Sequence, residues 1–198
     1  MSGSILPLIV FALVATLTPG GATTLATASG ARFGFRRSVP LMAGIAVGLA
    51  SLAAAASAGL AGLLLAAPSL RLAMTLAGSA YLLWLAWTVG RAGPPSAKIG
   101  PEAPTGFLAG ACLLWLNPKG WAMALGAAAA FAMLADGPAR LALLLGAVFG
   151  VAAALSLSLW CLAGLLLARL LRTERQWRMV NLVLGLLLAA SIIPMWLE

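Results

Sequence analysis

Trp115-Leu116-Asn117-Pro118-Lys119-Gly120 places a helix breaker and a cation inside an otherwise uncharged apolar segment. From Thr105 to Leu134 no other side chain carries a charge. At about 1.5 Å per helical residue, that stretch is long enough to cross a hydrocarbon core about 30 Å thick. Lys119 is therefore expected within the bilayer. Asn117 followed by Pro118 reads as a helix start, because Asn accepts a bond from an orphan amide and Pro needs no donor at the first helical position. A span with a start signal in its middle is two half-helices. Irregular backbone at membrane depth persists only where protein or a watery cavity satisfies the freed polar groups, so the break predicts a polar site near the midplane. A companion stretch, Thr18-Pro19-Gly20-Gly21, lies in the first half of the chain.

The composition sets the class. Of 198 residues, 63% are hydrophobic and 8% charged, more apolar surface than a soluble domain of this size can hide. The expectation is an all-α integral membrane protein. A net charge of +8 would suit a nucleic-acid partner only with a basic face carrying readers, and the basic residues instead cluster between spans, so no nucleic acid is expected. There is no histidine, and the acidic residues are Glu102, Asp136, Glu174 and Glu198. That set lacks the material for a buried metal site, a cofactor-dependent centre or an acid/base dyad, so an enzyme is not expected. Cys112 and Cys161 fall inside apolar spans, where cysteine behaves as a small hydrophobe, and no metal-ligand spacing is present. Ala26-Thr27-Ala28 looks like a signal-peptidase site, but Met1 to Ser4 hold no basic residue and the apolar run before it is interrupted. The segment reads as a retained first span.

Six apolar runs follow in order. The first covers Ile5 to about Ser29 and is broken at Pro19; the second runs from Val39-Pro40 to about Leu65; Ala67-Pro68-Ser69 turns into the third, Leu72 to Val89. Tyr81, Trp84 and Trp87 at the end of the third are of the kind that settle at a membrane interface. Residues 91–104, rich in Pro, Gly and Ser and carrying Lys98 and Glu102, form the longest linker. The fourth run is broken at Pro118 and closed by Asp136-Gly137-Pro138; the fifth covers Leu141 to Ala168 and the sixth Met179 to Leu197. Trp177 and Trp196 are 19 residues apart, about 28 Å of helix, which suits anchors at opposite interfaces. The whole chain, 1–198, is one transmembrane domain with half-repeats of about 1–90 and 105–198.

Orientation follows from lysine and arginine. The loops after spans one, three and five hold three, two and four basic residues, nine in all, against Arg71 and Arg140 on the other side. The positive-inside rule puts those loops, including the linker, in the cytoplasm and both termini outside. The same basic residues suit anionic lipid headgroups, so the bilayer itself is a partner. The halves look like copies: Pro19 and Pro118 are 99 residues apart, and Gly44-x3-Gly48 recurs at Gly146-x3-Gly150, 102 residues on. Three spans per half require the copies to be inverted, the architecture of many secondary transporters. A glycine pair alone more often marks helix packing than function.

Several of these stretches fit one family. Thr18-Pro19-Gly20-Gly21 is similar to a Thr-Pro-Gly-Pro signature followed by small residues and a basic stretch, here Gly30-Ala31-Arg32-Phe33-Gly34-Phe35-Arg36-Arg37. Gly44-Ile45-Ala46-Val47-Gly48, Leu76 to Trp87 and Leu116-Asn117-Pro118-Lys119 match its second, third and fourth spans in order. The chain thus resembles, over nearly its whole length, the lysine exporter (LysE/RhtB) superfamily of bacterial amino-acid efflux proteins. The resemblance implies a six-helix exporter of the bacterial cytoplasmic membrane, often a homodimer, that moves amino acids or similar small solutes outward on an ion gradient. Three positions depart from the family: Gly21 for its second signature proline, Ala22 for an asparagine, and Leu49 for an aspartate after the second-span glycine. Loss of that amide and carboxylate disfavours a cationic substrate such as lysine, points to neutral amino acids, and removes the obvious carboxylate for proton coupling.

The expected site joins the two breaks: Thr18, Pro19, Gly20, Gly21 and Thr23 from the first, Asn117, Pro118 and Lys119 from the second. Positive helix ends and the Lys119 ammonium would together favour an anionic group such as a substrate carboxylate, with Thr18, Thr23 and Asn117 adding hydrogen bonds. Alternatively, Lys119 holds carbonyls freed by the break or reaches toward an interface along its stem. Trp115 and Trp121, which flank the break, read first as packing or interfacial residues. Two other functions stay open: a non-transporting membrane subunit on the same scaffold, and an exporter of another small solute or ion.

Overall fold

The computed structural model describes residues 5–60, 68–92, 103–193 and 196. Among them the chain is all helical, with eight α-helices. The first, α1 (Leu6–Leu17), carries its proline, Pro7, in the first turn, where a missing N–H costs nothing. It ends just before Pro19. The next, α2 (Gly21–Phe33), stops at Gly34, whose φ of 77° reverses the backbone so that α3 (Phe35–Ala55) starts at once. A π-helical turn, Ala56–Leu60, extends α3 and ends around Gly59 at φ 102°. Then come α4 (Pro68–Gly90), α5 (Phe107–Trp115), α6 (Pro118–Ala130), a 3-10 turn at Ala132–Leu134, α7 (Pro138–Leu170) and α8 (Glu174–Ala190).

The 33 residues of α7 make it the longest element, about 50 Å at 1.5 Å per residue. It packs along α3, α2 and α1, while α3 also packs on α5, and α4 pairs with α8. Small residues make this possible. A Cβ on Gly30 would run into the Cys161 carbonyl, and one on Gly164 into the Thr27 carbonyl, so α2 and α7 touch backbone to backbone. Both G-x3-G pairs serve packing: Gly44 and Gly48 lie against Phe107 and Ala111 of α5, and Gly146 and Gly150 against Ala50 of α3. The core includes Leu8, Leu41, Ile45, Leu52, Leu113, Leu145 and Phe149. Outward-facing Leu108 and Leu143 are 77% and 76% exposed, a placement that hydrocarbon tolerates and water penalises.

Among the described residues, two helices are long and apolar enough to cross a membrane, Phe35–Gly59 and Pro138–Leu170; α1 and α2 add a third if read as one span bent by 59°. With 17 residues, α8 rises about 25 Å, short of a 30 Å core. The expected boundaries shift in several places. The basic residues after the first span lie in helix ends, Arg32 in α2 and Arg36 and Arg37 in α3, because Gly34 alone makes the connection. Likewise Arg169 closes α7 while Arg175 and Arg178 ride on α8, which begins five residues before Met179 under a Thr173 and Gln176 capping box. Pro40 lies inside α3, and Pro68 and Ser69 open α4 instead of forming a turn. Trp177 is buried, and Trp196 donates to Ser79 Oγ at 3.1 Å. Most of the linker, with Lys98 and Glu102, the end of the second span beyond Leu60, and both termini lie outside the described residues.

Candidate substrate site between the two helix breaks

The second break forms as its sequence dictates. Asn117 takes an extended conformation, and its Oδ1 accepts from the Lys119 N–H at 3.0 Å while Pro118 occupies the first position of α6. A carbonyl freed at the end of α5 is also served locally: Trp121 Nε1 donates to the Trp115 carbonyl at 2.8 Å, and the two indoles meet edge to face. Trp115 Nε1 in turn reaches Ser51 Oγ at 3.1 Å. Neither indole lines the cavities described below, in keeping with a packing role.

The first break is built differently. Thr18-Pro19 was expected to start the second half-helix in the manner of Asn117-Pro118, but the N-cap of α2 is Gly20, two residues later. Thr18 Oγ1 instead donates back to the Val14 carbonyl at 2.7 Å and finishes α1. Thr23 replaces the missing cap side chain: its Oγ1 accepts from the Gly20 N–H at 2.8 Å. Three successive carbonyls at the end of α1 are then satisfied from far along the chain. Ser156 Oγ donates to Thr16 O at 2.7 Å, Trp160 Nε1 to Leu17 O at 3.2 Å, and Lys119 Nζ to Thr18 O at 3.0 Å.

The last of these bonds brings the two breaks together. Lys119 is half-buried, and a Cβ on Gly20 would sit 3.3 Å from its Nζ, so the glycine gives the ammonium its room. Two cavities meet at this point. The smaller, about 50 Å³, is lined by Thr18, Gly20, Gly21, Thr23, Asn117 and Lys119 from the expected set, with Ile45, Leu49, Met123 and Leu157 among its apolar walls. The larger, about 460 Å³, shares Gly20, Gly21, Asn117 and Lys119 and adds Pro19, Phe11 and Ser191. Seven of the eight expected residues therefore line one or both cavities, and Pro118 is the first residue of α6 beside them. Thr16, Ser156, Trp160, Met123 and Ser191 were not expected. Ser156 left a signal, a hydroxyl inside the apolar run Leu155 to Trp160; Ser191 and Met123 left none.

The fixed charge at this site is positive. The first turn of α2 holds no acidic residue, and Gly20 to Thr23 line the smaller cavity, so the positive dipole end of the helix lies at the site with the ammonium beside it. Among the described residues, the acids Asp136 and Glu174 are exposed and paired with Arg140 and Arg178, away from this site. Leu49, where the resemblance leads one to expect an aspartate, is 2% exposed and lines the smaller cavity.

A family model described as LysE type translocator matches residues 13–191. The chain belongs to this family. Its sequence is thus that of a membrane translocator family, not of an enzyme. Among curated proteins, the LysE-family chain is similar to the cysteine/O-acetylserine efflux protein of Salmonella paratyphi A, 30% identical over 184 residues and covering 90% of each chain. The cysteine/O-acetylserine efflux proteins of Escherichia coli K12 and Shigella flexneri are each 34% identical over 188 residues, again with 90% of each chain covered. No solved structure matches the chain.

Proposed function

We propose that this protein exports small neutral amino acids, or closely related metabolites, across the bacterial cytoplasmic membrane by ion-coupled alternating access. One observation carries the reading: the Lys119 ammonium stands at the wall shared by two cavities and binds the Thr18 carbonyl at the break in the other half. A substrate carboxylate entering from the larger cavity draws the ammonium to itself, with the N-terminal turn of α2 adding its dipole. The Thr18 carbonyl, released, accepts from the substrate ammonium. Binding thus replaces a bond between the two breaks with two bonds to the substrate, and the halves become free to move apart. Leu49 in place of an acid supports a neutral side chain. The relatives named as cysteine/O-acetylserine efflux proteins point the same way, since both named solutes are neutral and short.

In this reading residues 1–198 form one domain of six spans in two inverted halves, about 1–90 and 105–198, with the first and fourth spans broken at Pro19 and Pro118. Linker 91–104 is cytoplasmic, both termini are outside, and a homodimer is the assembled form. The clustering of basic residues at alternate span ends supports the orientation, and the meeting of both breaks at one pair of cavities supports the repeat.

The rival reading makes Lys119 a structural strut in a non-transporting scaffold, and the same bond to Thr18 favours it. Export of cysteine or alanine from proteoliposomes separates the two. Lys119→Met is expected to lower export about a hundredfold, in the range for stripping one partner from a desolvated charge pair, while Lys119→Arg keeps part of it. Export by Lys119→Met at the unsubstituted rate would sink the charge role.

A further inference from the structure

We infer that the carboxylate is the one group this site requires, held by Asn117 Nδ2 together with Lys119 Nζ, and that 2-hydroxycarboxylates are carried alongside 2-amino ones. The inference rests on the export reading above, since it takes the cavities at the two breaks as the substrate's seat. The deciding feature is an open donor. Asn117 is 7% exposed and lines both cavities. Its N-cap bond fixes the amide, because only the oxygen can accept from the Lys119 N–H. Nδ2 therefore keeps its two N–H donors, and among the described residues neither has a protein partner. Buried donors without an acceptor are costly and rare, so this one marks a place where a ligand oxygen belongs. Lys119 Nζ uses one of its three donors on the Thr18 carbonyl, and Lys119 also lines both cavities. Amide and ammonium thus stand two residues apart on one break and offer open donors to the two oxygens of a carboxylate.

The other end of the substrate meets only neutral groups. Once Lys119 turns to the carboxylate, the Thr18 carbonyl needs a donor. Among the described residues no Asp or Glu lines either cavity, and the side-chain oxygens that do are hydroxyls and the Asn117 amide, all uncharged. Leu49 stands in the wall where an acid would have faced an ammonium. A substrate ammonium would leave water for neutral acceptors alone and give the loaded site a net positive charge, a desolvation that no acid offsets. A hydroxyl at the same carbon donates the same bond to Thr18 with no charge to desolvate, and the carboxylate then neutralises Lys119. The stronger, charge-assisted bond of the ammonium acts in the opposite direction. With the two effects opposed, the site does not discriminate sharply between an amine and a hydroxyl beside the carboxylate. Loss of the carboxylate has no such compensation, because it strands both donors.

The test is efflux of L-serine, L-glycerate and ethanolamine from proteoliposomes, each measured against protein-free vesicles. Glycerate replaces the ammonium of serine by a hydroxyl, and ethanolamine lacks the carboxylate. Glycerate should be carried within about tenfold of serine, the difference between one charge-assisted and one neutral hydrogen bond. Ethanolamine should be at least about a hundredfold slower, the range for removing one partner from a desolvated charge pair. Asn117→Asp keeps a capping oxygen but exchanges the open donor for an acid, which repels a carboxylate and accepts from an ammonium; the glycerate-to-serine ratio should fall at least about tenfold. The series on the unsubstituted protein needs no variant to fold. Serine carried with glycerate slower than its margin, ethanolamine carried faster than its own, or Asn117→Asp with the original ratio overturns the inference and leaves the export reading standing. A protein that moves neither serine nor alanine above protein-free vesicles overturns the export reading and the inference with it.

Discussion

The two breaks solve one backbone problem in opposite ways. Between α5 and α6 the satisfying groups are local: Asn117 caps an amide two residues on, and Trp121 reaches a carbonyl six residues back. Between α1 and α2 Thr23 serves the Gly20 amide locally, but the last carbonyls of α1 are served remotely, with Ser156, Trp160 and Lys119 reaching carbonyls 140, 143 and 101 residues away in sequence. A locally capped break travels as a rigid unit, because its bonds stay intact whatever its neighbours do. A remotely capped one is tied to α7 and to α6, so any displacement of α1 must break or exchange those bonds. On the export reading proposed above, the difference assigns roles: the α5–α6 break carries the ammonium, and the α1–α2 break is the partner it releases.

That contrast is most exposed at Lys119. Its replacement by methionine should separate function from stability: export falls about a hundredfold, while unfolding in detergent micelles shifts by less than about 1 kcal/mol, because the lost bond is offset by the lost desolvation of a half-buried charge. A strut would show the reverse, a large stability loss with export following it. Next in size is Ser156→Ala, which leaves the Thr16 carbonyl in the core without its donor. Ser156 is 1% exposed, so the cost should be about 1–2 kcal/mol, near the top of what single hydrogen bonds contribute inside membranes. Asn117→Ala should cost about 1 kcal/mol, the usual worth of an N-cap. Chemical or SDS unfolding of the two variants decides the order, and an Asn117→Ala loss well above that of Ser156→Ala would reverse the contrast.

What the sequence disclosed follows the same division. Asn117-Pro118 announced the second break correctly because cap, proline and satisfied amide all lie within three residues. Thr18-Pro19 announced a break in the right place and the wrong start for α2, since the Thr18 hydroxyl turned back to Val14 and Thr23, three residues beyond Gly20, did the capping. Ser156 and Trp160 could not be matched to α1 from sequence, because nothing local shows which face of a uniformly apolar helix meets which neighbour. Helix ends at Gly34 and Thr173 were misplaced for a related reason: arginines read as loop markers, whereas Arg32 and Arg169 sit in the last turns of α2 and α7, where the dipole favours a cation, and Arg36, Arg37, Arg175 and Arg178 ride exposed on the opening turns of α3 and α8. Leu49 was noticed only as a missing acid; its position in the cavity wall required the packing of α3 against α6 and α7.

The smallest expected effect concerns independence. If the α5–α6 break is self-contained, removing its cap should not alter what the remote caps contribute. Asn117 and Ser156 both line the smaller cavity, yet their hydrogen bonds share no atom: one ends on the Lys119 amide and the other on the Thr16 carbonyl. A double-mutant cycle of Asn117→Ala and Ser156→Ala should therefore show a coupling energy under about 0.5 kcal/mol, the margin within which independent sites add. Ser156→Ala with Trp160→Phe is the contrasting cycle. Those two donors hold adjacent carbonyls of the same chain end, so loss of one lets α1 shift and weakens the other, and their coupling should exceed that of the first cycle. Equal couplings in the two cycles would mean that both breaks answer to one shared constraint, and the assignment of a rigid and a releasing break would fail.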